Sequence, residues 1–148
     1  MKLLIDTNVV LDVLLKREPF LKTSFEILEL SQKENINEYI SASSITDIYY
    51  IANRQIHDRG AVLKLITDLL KIIHIAGVNE EEIIFALKLG WQDFEDAVQY
   101  AVSLYFDADL IVTRNPSDYK DSKIPVLTPE QALNFISKSF KPDLKIVK

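Results

Sequence analysis

The sequence predicts an α/β fold: a three-layer α/β/α domain with a mainly parallel central sheet. Short apolar runs bounded by turn-forming residues are typical of strands that are buried on both faces. These runs alternate with segments of helical period, an order that produces parallel strands joined by right-handed crossovers. The chain of 148 residues has the usual size of one domain. We place that domain at residues 1–137, followed by a basic C-terminal tail at residues 138–148.

Local signals set the expected elements in order. Strands are predicted at residues 2–5, 38–42, 72–75, 108–113 and 124–127. Helices are predicted at residues 9–14, 21–33, 45–56, 61–70, 79–89, 93–107 and 131–137. Pro19 ends the first helical stretch, because the residue before a proline avoids helical angles. Gly90 suits a helix C-terminus, and Thr128 followed by Pro129 is a strong helix opening.

Composition excludes several classes of protein. The chain is 26% charged and 48% hydrophobic, as expected for a folded globular domain. It has no cysteine, so neither a disulfide framework nor a thiolate zinc site is available. No apolar run approaches the roughly 20 residues that span a bilayer, and no signal peptide is evident, so we expect a cytoplasmic protein that does not enter the membrane. A net charge of −5 argues against a broad basic surface for nucleic acid, but not against a nuclease with a bound cation.

Aspartates recur where the predicted strands end. Asp6 ends the first strand, Asp47 is expected in the first turn of the helix after the second, Asp96 opens a long helix, and Asp118 follows a later strand. Each has an ordinary reading as a helix cap, a dipole partner or a turn residue. In a parallel sheet, however, these positions share one edge, where converging carboxylates repel one another unless cations bind.

Oxygen ligands without cysteine favour Mg²⁺, or Mn²⁺, over zinc. Such a cation binds a phosphodiester oxygen, activates water and neutralises the leaving oxygen, so that no nucleophilic side chain is required. The two histidines, His57 and His74, are distant from the acidic segments in sequence, and we interpret both as structural or surface residues.

Four segments together resemble the PIN-domain ribonucleases. Residues 4–8 (LIDTN) are similar to the opening motif of that family, residues 44–48 (SITDI) to its second, residues 93–97 (DFEDA) to its third and residues 112–119 (VTRNPSDY) to its fourth. The motifs occur in the family's order, and the similarity extends to about residue 136. Two departures stand out: Asp47 is found where the family more often has glutamate, and Asn115 where it often has aspartate, with Asp118 supplying that charge.

The resemblance implies a site made of specific residues. The catalytic acidic cluster would be Asp6, Asp47, Asp96 and Asp118, with Asp6, Asp96 and Asp118 binding the metal. Side chains that orient ligands or water by hydrogen bonding would be Thr7, Asn8, Ser44, Asp93, Thr113 and Asn115; Asp93 is either an additional member of the cluster or only a helix cap. Arg114 and Lys16 are candidate phosphate contacts, with a surface role as the alternative for each.

The resemblance also implies an activity and partners. The leading hypothesis is a Mg²⁺- or Mn²⁺-dependent endoribonuclease that hydrolyses RNA phosphodiester bonds through metal-activated water. Many small members of the family are toxins of toxin-antitoxin pairs, which implies an antitoxin protein partner and a homodimer. A second hypothesis is a PIN-like module with a weakened acidic set that binds RNA or a protein without cleaving. A third is a phosphatase with Asp6 as nucleophile, disfavoured because Asn8 occupies the place of a second acid.

Overall fold

The computed structural model describes residues 1–140 and contains one five-stranded sheet in the order β3-β2-β1-β4-β5, with every pair parallel. The strands are β1 (Lys2–Ile5), β2 (Asn37–Ser41), β3 (His74–Ala76), β4 (Leu110–Val112) and β5 (Val126–Leu127). The helices are α1 (Thr7–Leu14), α2 (Leu21–Glu29), α3 (Ala42–Ile56), α4 (Arg59–Leu69), α5 (Glu80–Leu89), α6 (Phe94–Tyr105) and α7 (Pro129–Ser139). The prediction of an α/β fold is therefore confirmed.

The central strand β1 explains the three layers. Leu3 pairs with Glu38 of β2 and with Leu110 of β4, so these three side chains project from the same face. That face packs against α1, α2, α3, α4 and α7 in the larger apolar core. Leu4 projects from the other face and joins one of the two smaller cores that involve α5 and α6. Because β1 is covered on both faces beyond the exposed Lys2, its residues Leu3, Leu4 and Ile5 are apolar without alternation.

Several boundaries differ from the sequence prediction. α2 ends at Glu29 and continues as a single 3₁₀ turn at Leu30–Gln32, where a helix to residue 33 was predicted. The third strand lies at His74–Ala76, two residues later than its predicted start. α7 extends to Ser139, so the first residues of the predicted tail are helical, while Lys141, Lys145 and Lys148 lie outside the described residues. Among residues 1–140, no helix is both long and apolar enough to cross a bilayer.

Candidate active site

Asp6 lies at the carboxyl edge of β1 with only 5% of its surface exposed. It occupies the N-cap position of α1, yet its side chain makes no capping hydrogen bond. Instead, its carboxylate accepts hydrogen bonds from Gln99 Nε2 at 2.9 Å and from Thr113 Oγ1 at 2.7 Å. The side chain of Asp6 therefore does not cap the helix, because donors from α6 and from the end of β4 bind its carboxylate.

Asp96 lies beside Asp6 and shares a contact with it. The hydroxyl of Tyr119 is 3.4 Å from Asp6 Oδ2 and 3.4 Å from Asp96 Oδ1, and its single proton serves only one carboxylate at a time. Burial, followed by the negative charges of Asp6 and Asp93, raises the pKa of Asp96 to about 7. Burial, followed by the negative charges of Asp6 and Asp96, raises the pKa of Tyr119 as well, so the phenol stays a proton donor. Sequence reasoning missed Tyr119, which follows Asp118 directly.

Glu95 is a second residue that the sequence prediction did not include in the site. Its Oε1 accepts a hydrogen bond of 3.2 Å from Thr7 Oγ1, which ties α6 to the first turn of α1. Burial, followed by the charge of Asp47, raises the pKa of Glu95 to about 7. Thr7, predicted to orient ligands or water, donates its hydrogen bond to Glu95. Gln99, also missed, has a recognisable signal: it lies three residues after Asp96 and therefore on the same face of the helix.

Asp47 and Asp118 lie at the margin of this cluster. α3 begins at Ala42 with Ser41 as its N-cap, so Asp47 lies in the second turn of α3, and the prediction of the first turn is wrong. The helix starts early because the Ser41 side chain already accepts a hydrogen bond from the backbone of Ser44. Asp118 is exposed in a 3₁₀ turn after β4, and its charge is one of those that raise the pKa of Asp96.

The remaining predicted polar residues divide into two groups. Thr113 is fully buried against Asp6, and Asn8 lies between them with its Nδ2 3.5 Å from Asp6 Oδ2 and 3.4 Å from Thr113 Oγ1. Asp93 is the N-cap of α6 and accepts a hydrogen bond from the backbone N–H of Asp96. These three residues support the acidic pair directly.

The other group contacts the pair indirectly or lies away from it. Ser44 is buried, and its hydroxyl lies 2.8 Å from that of Ser41. Asn115 is exposed, and its backbone N–H donates to Thr113 Oγ1. The Arg114 side chain is paired with Asp12 on α1, with Nε 2.7 Å from Oδ2. Lys16 follows the far end of α1, about 12 Å along the helix from Asp6.

Both histidines are exposed and outside this cluster. His57 ends α3 with a left-handed backbone (φ 54°). The ring of His74, in the edge strand β3, packs 5.2 Å from that of Tyr39. Their geometry agrees with the prediction that they are structural or surface residues.

The donor set fits a divalent cation by its chemistry. Its charged members are carboxylates, and the charges of Asp6, Asp93, Asp118 and Glu95 all raise the pKa of Asp96, a repulsion that a bound cation relieves. Among residues 1–140, no group of three Asp, Glu or His side chains is close enough to bind one ion together. Asp6 and Asp96 are the two buried carboxylates that lie side by side at this edge of the sheet.

Known proteins share this architecture over most of the chain. The chain is 26% identical over 135 residues to ribonuclease VapC1 of Aquifex aeolicus (strain VF5), covering 88% of this chain and 92% of that protein. The solved structure of VapBC-1 from nontypeable Haemophilus influenzae matches with a TM-score of 0.68 at 15% identity, covering 88% of this chain and 99% of the other. A toxin-antitoxin complex from Klebsiella pneumoniae matches with a TM-score of 0.63 at 20% identity, covering 85% and 96%. The PIN domain family model matches residues 2–117, and the chain therefore belongs to the PIN domain family.

Proposed function

We propose that this chain is a divalent-metal-dependent endoribonuclease that hydrolyses RNA phosphodiester bonds. The observation that carries the proposal is the pair of buried carboxylates, Asp6 and Asp96, at the carboxyl edge of a parallel sheet. Ligand crevices of such sheets lie at this edge. Burying two carboxylates that repel each other lowers stability unless a cation binds between them. Their hydrogen-bonded positions therefore favour a functional role for the pair. The similarity to a ribonuclease supports RNA as the substrate.

Each residue of the site has a definable task in this proposal. Mg²⁺, or Mn²⁺, would supply positive charge that stabilises the negative charge developing on the phosphate. Asp6 and Asp96 would hold it, with Asp118 and Asp47 as additional acids at the margin. Gln99 and Thr113 donate to Asp6 and so keep its lone pairs aimed at the crevice.

The remaining contacts of the site keep the acidic pair in place. Thr7 donates to Glu95 and anchors the start of α6 against α1. Tyr119 lies between the pair and donates its proton to one or the other carboxylate. These side chains act by orientation, the role that metal sites require of the groups around their ligands.

Charge removal at the pair tests the proposal. We expect the wild-type chain to cleave RNA only with Mg²⁺ or Mn²⁺, and Asp6→Asn and Asp96→Asn each to lose activity by at least about a hundredfold, since even groups that only orient metal ligands are worth 10–100-fold. Asp107→Asn is the matched control: Asp107 is exposed at φ 57°, a conformation that asparagine tolerates equally well. Equal cleavage by all four proteins would refute the assignment.

A second candidate function is a PIN-like module that binds RNA or protein without cleaving it. Its support is the lack, within the described chain, of three carboxylates arranged around one point, together with the exposed Asn115. Calorimetric titration with Mn²⁺ separates the two functions. Binding that is lost in Asp96→Asn favours the nuclease, whereas no binding at millimolar Mn²⁺ favours the module.

The nuclease proposal includes a cytoplasmic location, an antitoxin partner and a homodimer. Support for a protein partner comes from an exposed apolar groove of about 540 Å³ beside α1 and α2, lined by Val13, Leu21 and Phe25. Phe25, which lines this groove, is 47% exposed. The toxin-antitoxin complex of similar fold supports the same partner class. A neighbouring gene for a short protein with a DNA-binding start and a disordered end would identify the antitoxin.

A further inference from the structure

Arg114 is held beside the acidic site by an ion pair and an aromatic ring. Its Nε lies 2.7 Å from Oδ2 of Asp12, a side chain with no exposed surface. The central guanidinium carbon lies 4.1 Å from the ring centroid of Phe20. The backbone N–H of Arg114 also donates to Asn8 Oδ1 at 3.3 Å. The side chain is therefore preorganised, and little further conformational entropy is lost when a ligand binds to it.

Two arginines flank the single carboxylate of Asp12. Arg17 Nη1 is 3.9 Å from Asp12 Oδ1, so Arg17 also contributes to neutralising the buried charge. One arginine is enough to balance one carboxylate, and the group of three side chains carries a net positive charge. Within residues 1–140, the terminal nitrogens of Arg114 make no hydrogen bond, and about a quarter of its side chain is exposed. These donors are available to an anion from solvent.

A polar pocket of about 320 Å³ lies next to this guanidinium. Phe20 and Thr23 line one side, Asn115 lies beside Arg114, and Thr128 and Glu130 at the start of α7 line the other. Glu130 is the one carboxylate among these lining residues and is exposed, so its charge is screened by solvent. The backbone of Arg114 links this pocket to the acidic site. Thr113, the residue before it, donates to Asp6, and the N–H of Arg114 donates to Asn8, whose own amide contacts Asp6.

We propose that Arg114 binds a backbone phosphate of the RNA adjacent to the bond that is cleaved, and that this pocket receives the attached nucleotide. The inference rests on the proposed nuclease function and adds a substrate contact to it. A planar guanidinium presents paired N–H donors that match phosphate oxygens, and a ring packed against one of its faces leaves those edge donors available. The alternative is that Arg114 serves only to neutralise Asp12.

Charge-balanced double variants separate these two roles. Asp12→Asn with Arg114→Gln removes the phosphate donor without leaving a buried carboxylate unpaired and without changing net charge. Asp12→Asn with Arg17→Gln is the matched control, because it makes the same charge change beside the same residue but away from the pocket. Both are made in the Asp96→Asn background, and binding of a labelled single-stranded RNA is measured by fluorescence anisotropy between about 50 and 200 mM salt.

We expect the Arg114 double variant to bind RNA about tenfold more weakly at low salt and its log–log salt slope to fall by about 0.7, the value of one single-strand phosphate contact. The Arg17 double variant should match the Asp96→Asn parent. Equal slopes for the Arg114 variant and the parent, equal losses in both double variants, or no RNA binding by the parent would each overturn the proposal.

A second measurement needs no variant at this position. On titration of the Asp96→Asn protein with the same RNA, the Nε–H resonance of Arg114 should shift in the NMR spectrum at the concentrations that saturate binding. An unmoved Arg114 resonance at saturation would overturn the proposal. RNA cleavage by the wild-type chain is assayed separately, so failure of the phosphate contact and failure of the nuclease proposal give different results.

Discussion

Glu38 carries the sharpest stability prediction for this protein. It lies in β2 beside Leu3, on the sheet face that packs against the larger core. The side chain is 1% exposed, and within residues 1–140 neither carboxylate oxygen has a hydrogen-bond partner. Burial raises the pKa of Glu38 from 4.5 to about 9. The folded protein therefore keeps Glu38 protonated at neutral pH, whereas the unfolded chain releases that proton.

The pKa difference determines the direction and size of the effect. Because the folded pKa is raised, the stability associated with Glu38 is fully present below pH 4.5 and is lost as the pH rises towards 9. Each pH unit in this window costs about 1.4 kcal/mol of unfolding free energy. Between pH 4.5 and pH 7 the loss is on the order of 3 kcal/mol. Glu38→Gln removes the titrating proton, so the variant should gain this amount relative to wild type over the same interval.

The effect is measured by urea unfolding of wild type and Glu38→Gln at several pH values from 5 to 8. The quantity compared is the difference between their unfolding free energies at each pH, in which the titration of the acidic site cancels. Glu34→Gln is the control, since Glu34 is exposed in the turn that precedes the same strand. It should follow the wild-type pH profile. A constant free-energy difference between wild type and Glu38→Gln across this range would refute the reasoning that burial keeps Glu38 protonated.

Two further substitutions test the support of the site and of the last helix. Thr113→Val removes the hydroxyl that donates to Asp6 at 2.7 Å and should weaken Mn²⁺ binding by about 10–100-fold in calorimetry. Thr113→Ser keeps the hydroxyl and should bind Mn²⁺ nearly as tightly as the wild type. Unchanged Mn²⁺ affinity in Thr113→Val would contradict this role of Thr113. Thr128 and Gln131 form a capping box at the start of α7. Thr128→Ala should therefore lower the free energy of unfolding, measured in urea, by about 1 kcal/mol. Thr128→Ser is the control, because serine retains the capping hydroxyl. An equal loss of stability in both variants would argue against the hydrogen bond as the cause.

The sequence predicted only some of the acidic residues that lie in the site. Asp6 and Asp96 were predicted from their places at a strand end and in a first helical turn, and the structure brings them together through Tyr119. Glu95 was missed because neighbouring residues of a helix point about 100° apart, so its position next to Asp96 in the sequence does not place it in the same site. Its bond to Thr7 depends on how α6 packs against α1, which is information from residues 88 positions apart.

The sequence by itself determined the order of strands and helices, the family motifs and the oxygen-only chemistry of the site, because these depend on local periodicity and residue type. The tertiary structure alone decided which donors reach Asp6 and that Arg114 is paired with Asp12. It also decided that Glu38 is buried in the core, which nothing in its short strand segment indicated. The physical reason is common to all three: burial and long-range contacts depend on how the elements pack together, whereas periodicity and residue type reveal only the elements themselves.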